Sequence, residues 1–195
     1  SECQTQMVMI DEFQHFYDKV SHKVMHYVAD WLKLLVEGGI ALVVSGLPSC
    51  LTVINQNEQL EGRFSSPIEL PRFDWRLIEH QEEFLGILEA FRLSISRLYD
   101  TPDLSDKDLG MRVYCGCGGL IGLLAKFLRQ VVWNTIDSGK SIIELQDLAL
   151  AHSQAIWNSS VLKDYPSPFS EAFPQQITED LQLKVMSLNT TTSLD

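Results

Sequence analysis

Residues 7–15 read MVMIDEFQH and residues 40–50 read IALVVSGLPSC. Each opens on a short apolar run that stops at polar residues. Met7-Val-Met-Ile10, ended by Asp11-Glu12, reads as a buried parallel strand. Ile40-Ala-Leu-Val-Val44 reads as a second, ended by Ser45-Gly46. Between them Ser21 is placed to cap a helix. Val24, Val28, Leu32 and Leu35 recur there at helical spacing, and Gly38-Gly39 stop it. A short helix is expected after Pro48, and Ile68-Glu-Leu70, before Pro71, reads as a third strand. Strand, helix, strand, helix, strand implies an α/β layer on a three-stranded parallel sheet. In such a sheet Asp11 and Ser45 stand at the same edge.

After Pro71 the period changes. Leu77 to Tyr99 carries Leu85, Leu88, Phe91 and Ile95 on a long helical pattern. Ser105 is placed to cap a helix toward Tyr114, Gly118-Gly119 break the chain, and Leu120 to Ile136 is strongly helical. Ser141-Ile-Ile-Glu144 fits a capping box that opens a helix to about Trp157. No strand pattern interrupts this stretch, so an all-helical lid is expected. The boundaries are then 1–75 for the α/β core, 76–157 for the lid and 158–195 for a tail. In the tail, Thr178 is placed to cap one short helix, and residues 189–195 have a disordered composition.

The chain of 195 residues is 45% hydrophobic and 21% charged, an ordinary globular composition. No apolar run approaches the ~20 residues that span a bilayer, and no signal peptide opens the chain. The four cysteines do not suit a secreted disulfide framework, and Cys115-Gly-Cys117 is too tight for the usual zinc hook. A cytoplasmic setting is expected. The net charge of −11 with no basic cluster argues against tight binding of nucleic acid by this segment alone.

The acidic pair after the first strand fits a Walker B element. A buried strand must be apolar, and its end must deliver two carboxylates. Asp11 would enter the Mg²⁺ shell of a nucleotide through water, and Glu12 would orient the attacking water. On the neighbouring strand, Ser45 or Ser49 is placed to sense a terminal phosphate. Downstream, Arg63-Phe64 follows a helix and precedes the third strand. The fixed fork of an arginine suits phosphate oxygens across a subunit boundary, and the plainer reading of Arg63 is a surface residue packed over Phe64.

In order and wording, MVMIDEFQH (7–15), ALVVSGLPSC (41–50), NEQLEGRF (57–64), LPRFDW (70–75) and GGLIG (118–122) resemble the TniB/TnsC family of transposition ATPases. The resemblance runs from about Met7 to Trp157. It implies the rear part of a P-loop AAA+ ATPase, entered at the Walker B strand, within a protein that links target selection to a transposase. It also implies ATP and Mg²⁺ as cofactors of the parent protein, a homo-oligomer, contact with DNA through the parent, and a transposase and a target-selection protein as partners. Asp11 and Glu12 map to the catalytic acids, Asp11 and Ser45 to the nucleotide and its metal, and Arg63 to the arginine finger. These residues hold no Walker A loop, so the chain alone is expected to bind no cofactor and to be inactive. Two positions depart from the family pattern: Leu47 stands where a polar residue follows the sensor glycine, and Leu123 where a sensor arginine follows the lid glycine, with Arg129 nearly two turns on.

Asn134 to Ser141 almost spells a phosphate loop, but it follows a helix and has Asn134 for the first glycine. A helix end at Gly139 accounts for it. The competing functions are a non-catalytic protein-interaction module, with Pro166 to Phe173 and the tail as docking elements, and a metal or hydrolytic site on His15, His22 and His26.

Overall fold

The computed structural model describes residues 4–15, 22–55, 61–156 and 164–188. It divides into two compact units, Ser1–Glu69 and Leu70–Asp195.

The first unit is a small α/β layer. Strands β1 (Met7–Ile10) and β2 (Ala41–Val44) pair in parallel, with Met7 opposite Ala41 and Ile10 opposite Val44. Helices α1 (His22–Glu37) and α2 (Cys50–Asn55) complete the unit as described. The end of α1 is a Schellman turn: Gly39 takes φ 77°, its N–H reaches Val36 O, and Ile40 N–H reaches Leu35 O. A left-handed residue there closes the open carbonyls of the last turn, and glycine does so without a Cβ penalty. The expected cap at Ser21 lies outside the described residues.

The parallel pairing agrees with the sequence pattern, but the burial does not. Among the described residues only one sheet face is covered. Ile10, Leu42 and Val44 pack against a small core of Phe13, Leu32, Cys50 and Ile54. On the other face Met7 and Met9 stay 54% and 73% exposed. The third strand is also absent: Ile68 and Leu70 are 92% and 93% exposed and lie outside the sheet. A three-residue segment has too few ladder hydrogen bonds to hold itself as a strand without a neighbour and a covered face. The described sheet therefore has two strands, not three.

The second unit is helical, built from α3 (Ile78–Ile95), α4 (Lys107–Cys117), α5 (Ile121–Ser138), α6 (Leu145–Ala155) and α7 (Glu179–Ser187). Among the described residues one isolated β-bridge joins Asp100 to Ile142. Phe84, Tyr114, Leu124, Leu148 and Leu181 lie fully or almost fully buried in one continuous core. Gly118 and Gly119 (φ 64° and 66°) turn the chain by 108° between α4 and α5. A Cβ on Gly119 would run into the Phe73 carbonyl and the Tyr114 ring, so this turn has a steric as well as a conformational reason for glycine.

Two caps differ from the residues the pattern singles out. Asp106, not Ser105, caps α4, accepting from Asp108 and Leu109 N–H, while the Ser105 hydroxyl turns to Asp103 and Glu89. The capping box at α6 runs from Glu144 to Asp147, one turn beyond Ser141. In both places a carboxylate takes the cap, where its charge also favours the positive end of the helix. Thr178 caps α7 as its position suggests.

The segment around α7 is tied into this unit. Arg72 donates to the carbonyls of Met186 and Leu188, two of the open acceptors at the end of α7. Asp74 Oδ1 accepts from Gln182 Nε2 at 2.9 Å. Phe169 and Phe173 insert their rings into the core, and Phe169 stacks on Phe127 at 5.3 Å. The LPRFDW stretch is thus a strap between the start of this unit and α7. Among the described residues no single helix is long and apolar enough to cross a membrane.

Candidate functional site at the carboxyl edge of the sheet

The parallel register sets the geometry. Because Ile10 lies opposite Val44, the next residues, Asp11 and Ser45, leave the sheet side by side. Ser45 Oγ donates to Asp11 Oδ1 at 2.7 Å, and the Glu12 N–H donates to the same oxygen at 2.9 Å. Both bonds favour the charged form. The Ser45 hydroxyl, then the Glu12 amide, hold the Asp11 carboxyl below its usual range although the group is solvent-exposed. Asp11 is therefore ionised at neutral pH.

Glu12 is the one described non-glycine residue with positive φ, at 56°. For a side chain with a Cβ this conformation costs roughly 1–2 kcal/mol. The surroundings enforce it. Ser45 N–H bonds to Ile10 O, Phe13 N–H bonds to Ser45 O at 3.0 Å, and the Phe13 ring is fully buried. The chain must turn sharply between a strand end and an anchored ring, and the turn falls on Glu12. The Glu12 side chain remains 64% exposed, with His15 Nε2 at 3.6 Å from one carboxylate oxygen.

Gln14 is buried beside this turn, at 4% exposure. Its amide Nε2 donates to Glu12 Oε2, and its Oε1 accepts from Leu47 N–H at 3.0 Å. A Cβ on Gly46 would collide with that Oε1. Sequence reasoning missed Gln14 and did not connect Gly46 to it. The available signal was a polar residue directly after a core phenylalanine, with a glycine at the matching exit of the next strand.

Arg63 is placed differently. Its Nη2 donates to Glu37 Oε1 at 3.0 Å at the end of α1, with Lys33 Nζ 3.9 Å from the same oxygen. Two cations there offset a carboxylate set against the negative end of a helix. Phe64 packs on the small core.

The remaining candidates separate. Ser49 lies just before α2. The Gly139 stretch is the end of α5: Gly139 takes φ 63° and its N–H reaches Ile136 O. That geometry is a helix cap, as expected. Leu123 and Arg129 both lie on α5. The side chains of His22 and His26 lie outside the described ones, and among the described residues no group of His, Cys, Asp and Glu is arranged to hold a metal ion. Cys115 and Cys117 are free thiols, fully buried in the second unit, and burial pushes the Cys117 thiol up to about 12. They are packing residues, not nucleophiles.

The site is an α/β carboxyl edge bearing two acids, a neighbouring hydroxyl and a clamped turn. Residues 1–75 match the family model described as TniB, bacterial TniB protein. The match covers the whole first unit and ends at Trp75, inside the Arg72–Trp75 strap. It agrees with the resemblance read from the sequence and suggests a transposition-associated protein. No curated protein matches the chain.

Proposed function

We propose that the chain works within an ATP-dependent regulator of DNA transposition that links target selection to the transposase. The observation that carries this reading is the acidic pair at the sheet edge: Asp11 is held by Ser45 from the next parallel strand, and Glu12 is forced into a left-handed turn. Strained residues at strand ends gather where a side chain must be aimed.

The donor set suits the implied group. An ionised carboxylate beside a hydroxyl offers hard oxygens to Mg²⁺ through water, as AAA+ Walker B sites do. Mg²⁺-ATP would supply the transferable phosphoryl group. Asp11 and Ser45 would hold the metal's water shell and the terminal phosphate, and Glu12 would accept a hydrogen bond from the attacking water. The reading requires a phosphate-cradling loop in addition to these residues. It also requires a homo-oligomer in which Arg63 leaves Glu37 for a neighbour's nucleotide, and residues 68–70 as a strand of a larger sheet. The exposed Met7–Met9 face supports a further layer packed over the sheet in the full-length protein, since parallel sheets are ordinarily covered on both sides. DNA contact would come through the full-length protein, with a transposase and a target-selection protein as partners, in the cytoplasm.

The test is single-turnover hydrolysis by the full-length protein. Glu12→Gln should leave ATP binding intact and slow turnover at least about a hundredfold, as for loss of a water-orienting group. Turnover at the wild-type rate would remove Glu12 from the chemistry and leave the non-catalytic interaction module as the better reading.

A further inference from the structure

We propose that Gln14 is the positioning residue of this site, a clamp that fixes the Glu12 carboxylate relative to the loop after β2. The inference rests on the ATPase reading of Glu12 and adds a residue to it. Three observations carry it. First, Gln14 uses both ends of its amide on two different strand exits: Nε2 holds Glu12 Oε2 and Oε1 takes the Leu47 N–H. The amide orientation is not free, because the carboxylate can only accept and the backbone N–H can only donate. Second, Gln14 is 4% exposed, so its amide is anchored on the buried side of the site although the Glu12 carboxylate it holds is solvent-exposed. A solvated glutamine would exchange this bond for water at little cost, whereas a buried one loses its partner outright. Third, Gly46 leaves the space Oε1 occupies; any side chain there would displace it. The DEFQH and SGLP stretches interlock through this one amide.

The consequence is mechanical. Glu12 is exposed and long, and an exposed glutamate samples several rotamers. A water-orienting carboxylate has to be held within a fraction of an ångström of its working position. Gln14 supplies that restraint on one oxygen and leaves the other to accept from water. It ties the restraint to the Ser45–Leu47 loop, the same loop that holds Asp11. A shift of that loop would therefore reach both acids together.

The experiment is hydrolysis by the full-length protein carrying Gln14→Glu, Gln14→Leu, and each combined with Glu12→Gln. Gln14→Glu keeps the size and the acceptor for Leu47 N–H but loses the donor to Glu12. The expected result is a kcat about tenfold lower with KM unchanged. Its kcat should recover as pH falls toward 5, when the introduced carboxyl carries a proton and can donate again. Gln14→Leu should show the same loss without the recovery. In the Glu12→Gln background neither substitution should slow the residual rate further. Three results overturn the proposal. One is a wild-type kcat for Gln14→Glu in a protein where Glu12→Gln is crippled. Another is a loss of equal size in both backgrounds, which marks a merely structural residue. The third is a wild-type rate for Glu12→Gln itself, which removes the ATPase reading and the clamp with it. The first two leave the ATPase reading standing, so the failures are distinguishable.

Discussion

The two units bury apolar surface in different ways. The helical unit draws Phe84, Tyr114, Phe127, Leu148, Phe169 and Leu181 from each of its described helices and from the segment before α7 into one core. The α/β unit relies on Phe13, Leu32, Cys50 and Ile54, and leaves Met9, Tyr27 and Leu34 at 73%, 73% and 66% exposure. Burial of a large apolar side chain contributes about 1.5–3 kcal/mol. Among the described residues the core of the first unit is the smaller, so each of its members carries a larger share of the burial described there. The acidic site, with its strained Glu12 backbone, sits on the unit with the smaller described core. Stability and candidate chemistry are separated along the chain.

The largest effects are expected from removing one fully buried ring from each unit. Phe84 meets Phe73, Trp75 and Tyr114 edge to face or nearly so, and Phe84→Ala should cost about 3–5 kcal/mol. The helical unit should survive it with a lower Tm, because its remaining core is extensive. Phe13→Ala should cost a similar amount and unfold the α/β unit. Hydrogen exchange read by mass spectrometry distinguishes the two. Protection retained at β1 and β2 in Phe13→Ala would mean that the first unit is held by more than its small core.

Acid should have a smaller effect, on the helical unit. His152 is buried among Phe127 and Phe169, with Nε2 3.0 Å from Gly116 O. Burial pushes its pKa below 6.5, and the hydrogen bond to Gly116 opposes this only in part. The folded state therefore keeps the ring neutral where the unfolded chain would take up a proton. Stability from this group is complete above about pH 6.5 and falls as pH drops below it, until the lowered folded pKa is reached. The slope cannot exceed about 1.4 kcal/mol per pH unit. Thermal melts of the helical unit should lose stability between pH 6.5 and 5, and His152→Gln should flatten that limb. An unchanged limb in the variant would assign the acid sensitivity to other groups.

The alternation of elements in the first unit, its parallel pairing and the meeting of Asp11 with Ser45 were legible because a four-residue apolar run ended by acids carries its own register. What covers a sheet is not a local property. Met7 and Met9 are as apolar as Val8 and Ile10, and nothing in the run says which face finds a partner. Ile68-Glu-Leu70 failed as a strand for the same reason. The caps moved by one or three residues because the helices begin after Asp106 and Glu144, where a carboxylate also favours the positive end of the helix. The pattern weakens after Asn158, yet Phe169 and Phe173 anchor that stretch, since two rings in irregular chain leave no periodicity. Arg72 gave no signal because its acceptors at α7 lie more than a hundred residues away.

The smallest expected effect on stability is at Arg63. Its pair with Glu37 is about one-third exposed on the arginine side and shares its carboxylate with Lys33. An exposed pair of this kind contributes about 0–1 kcal/mol, and Lys33 remains to neutralise Glu37 when the arginine is removed. Arg63→Ala should therefore move the melting of the α/β unit by no more than a degree or two, far less than Phe13→Ala. If Arg63 acts as a finger, the same substitution should abolish hydrolysis by the assembled full-length protein while ATP binding persists. Mixed oligomers separate action across subunits from action within one. Combining an Arg63→Ala protein with a Glu12→Gln protein creates some interfaces that hold an intact arginine facing an intact glutamate, so activity should partly return. Activity that stays at the level of either variant, in oligomers shown to contain both, would reduce Arg63 to a surface residue that balances Glu37 and covers Phe64. The weak ion pair is what makes the role plausible in physical terms: a bond worth so little in water can be exchanged for a phosphate oxygen without unfolding the unit that carries it.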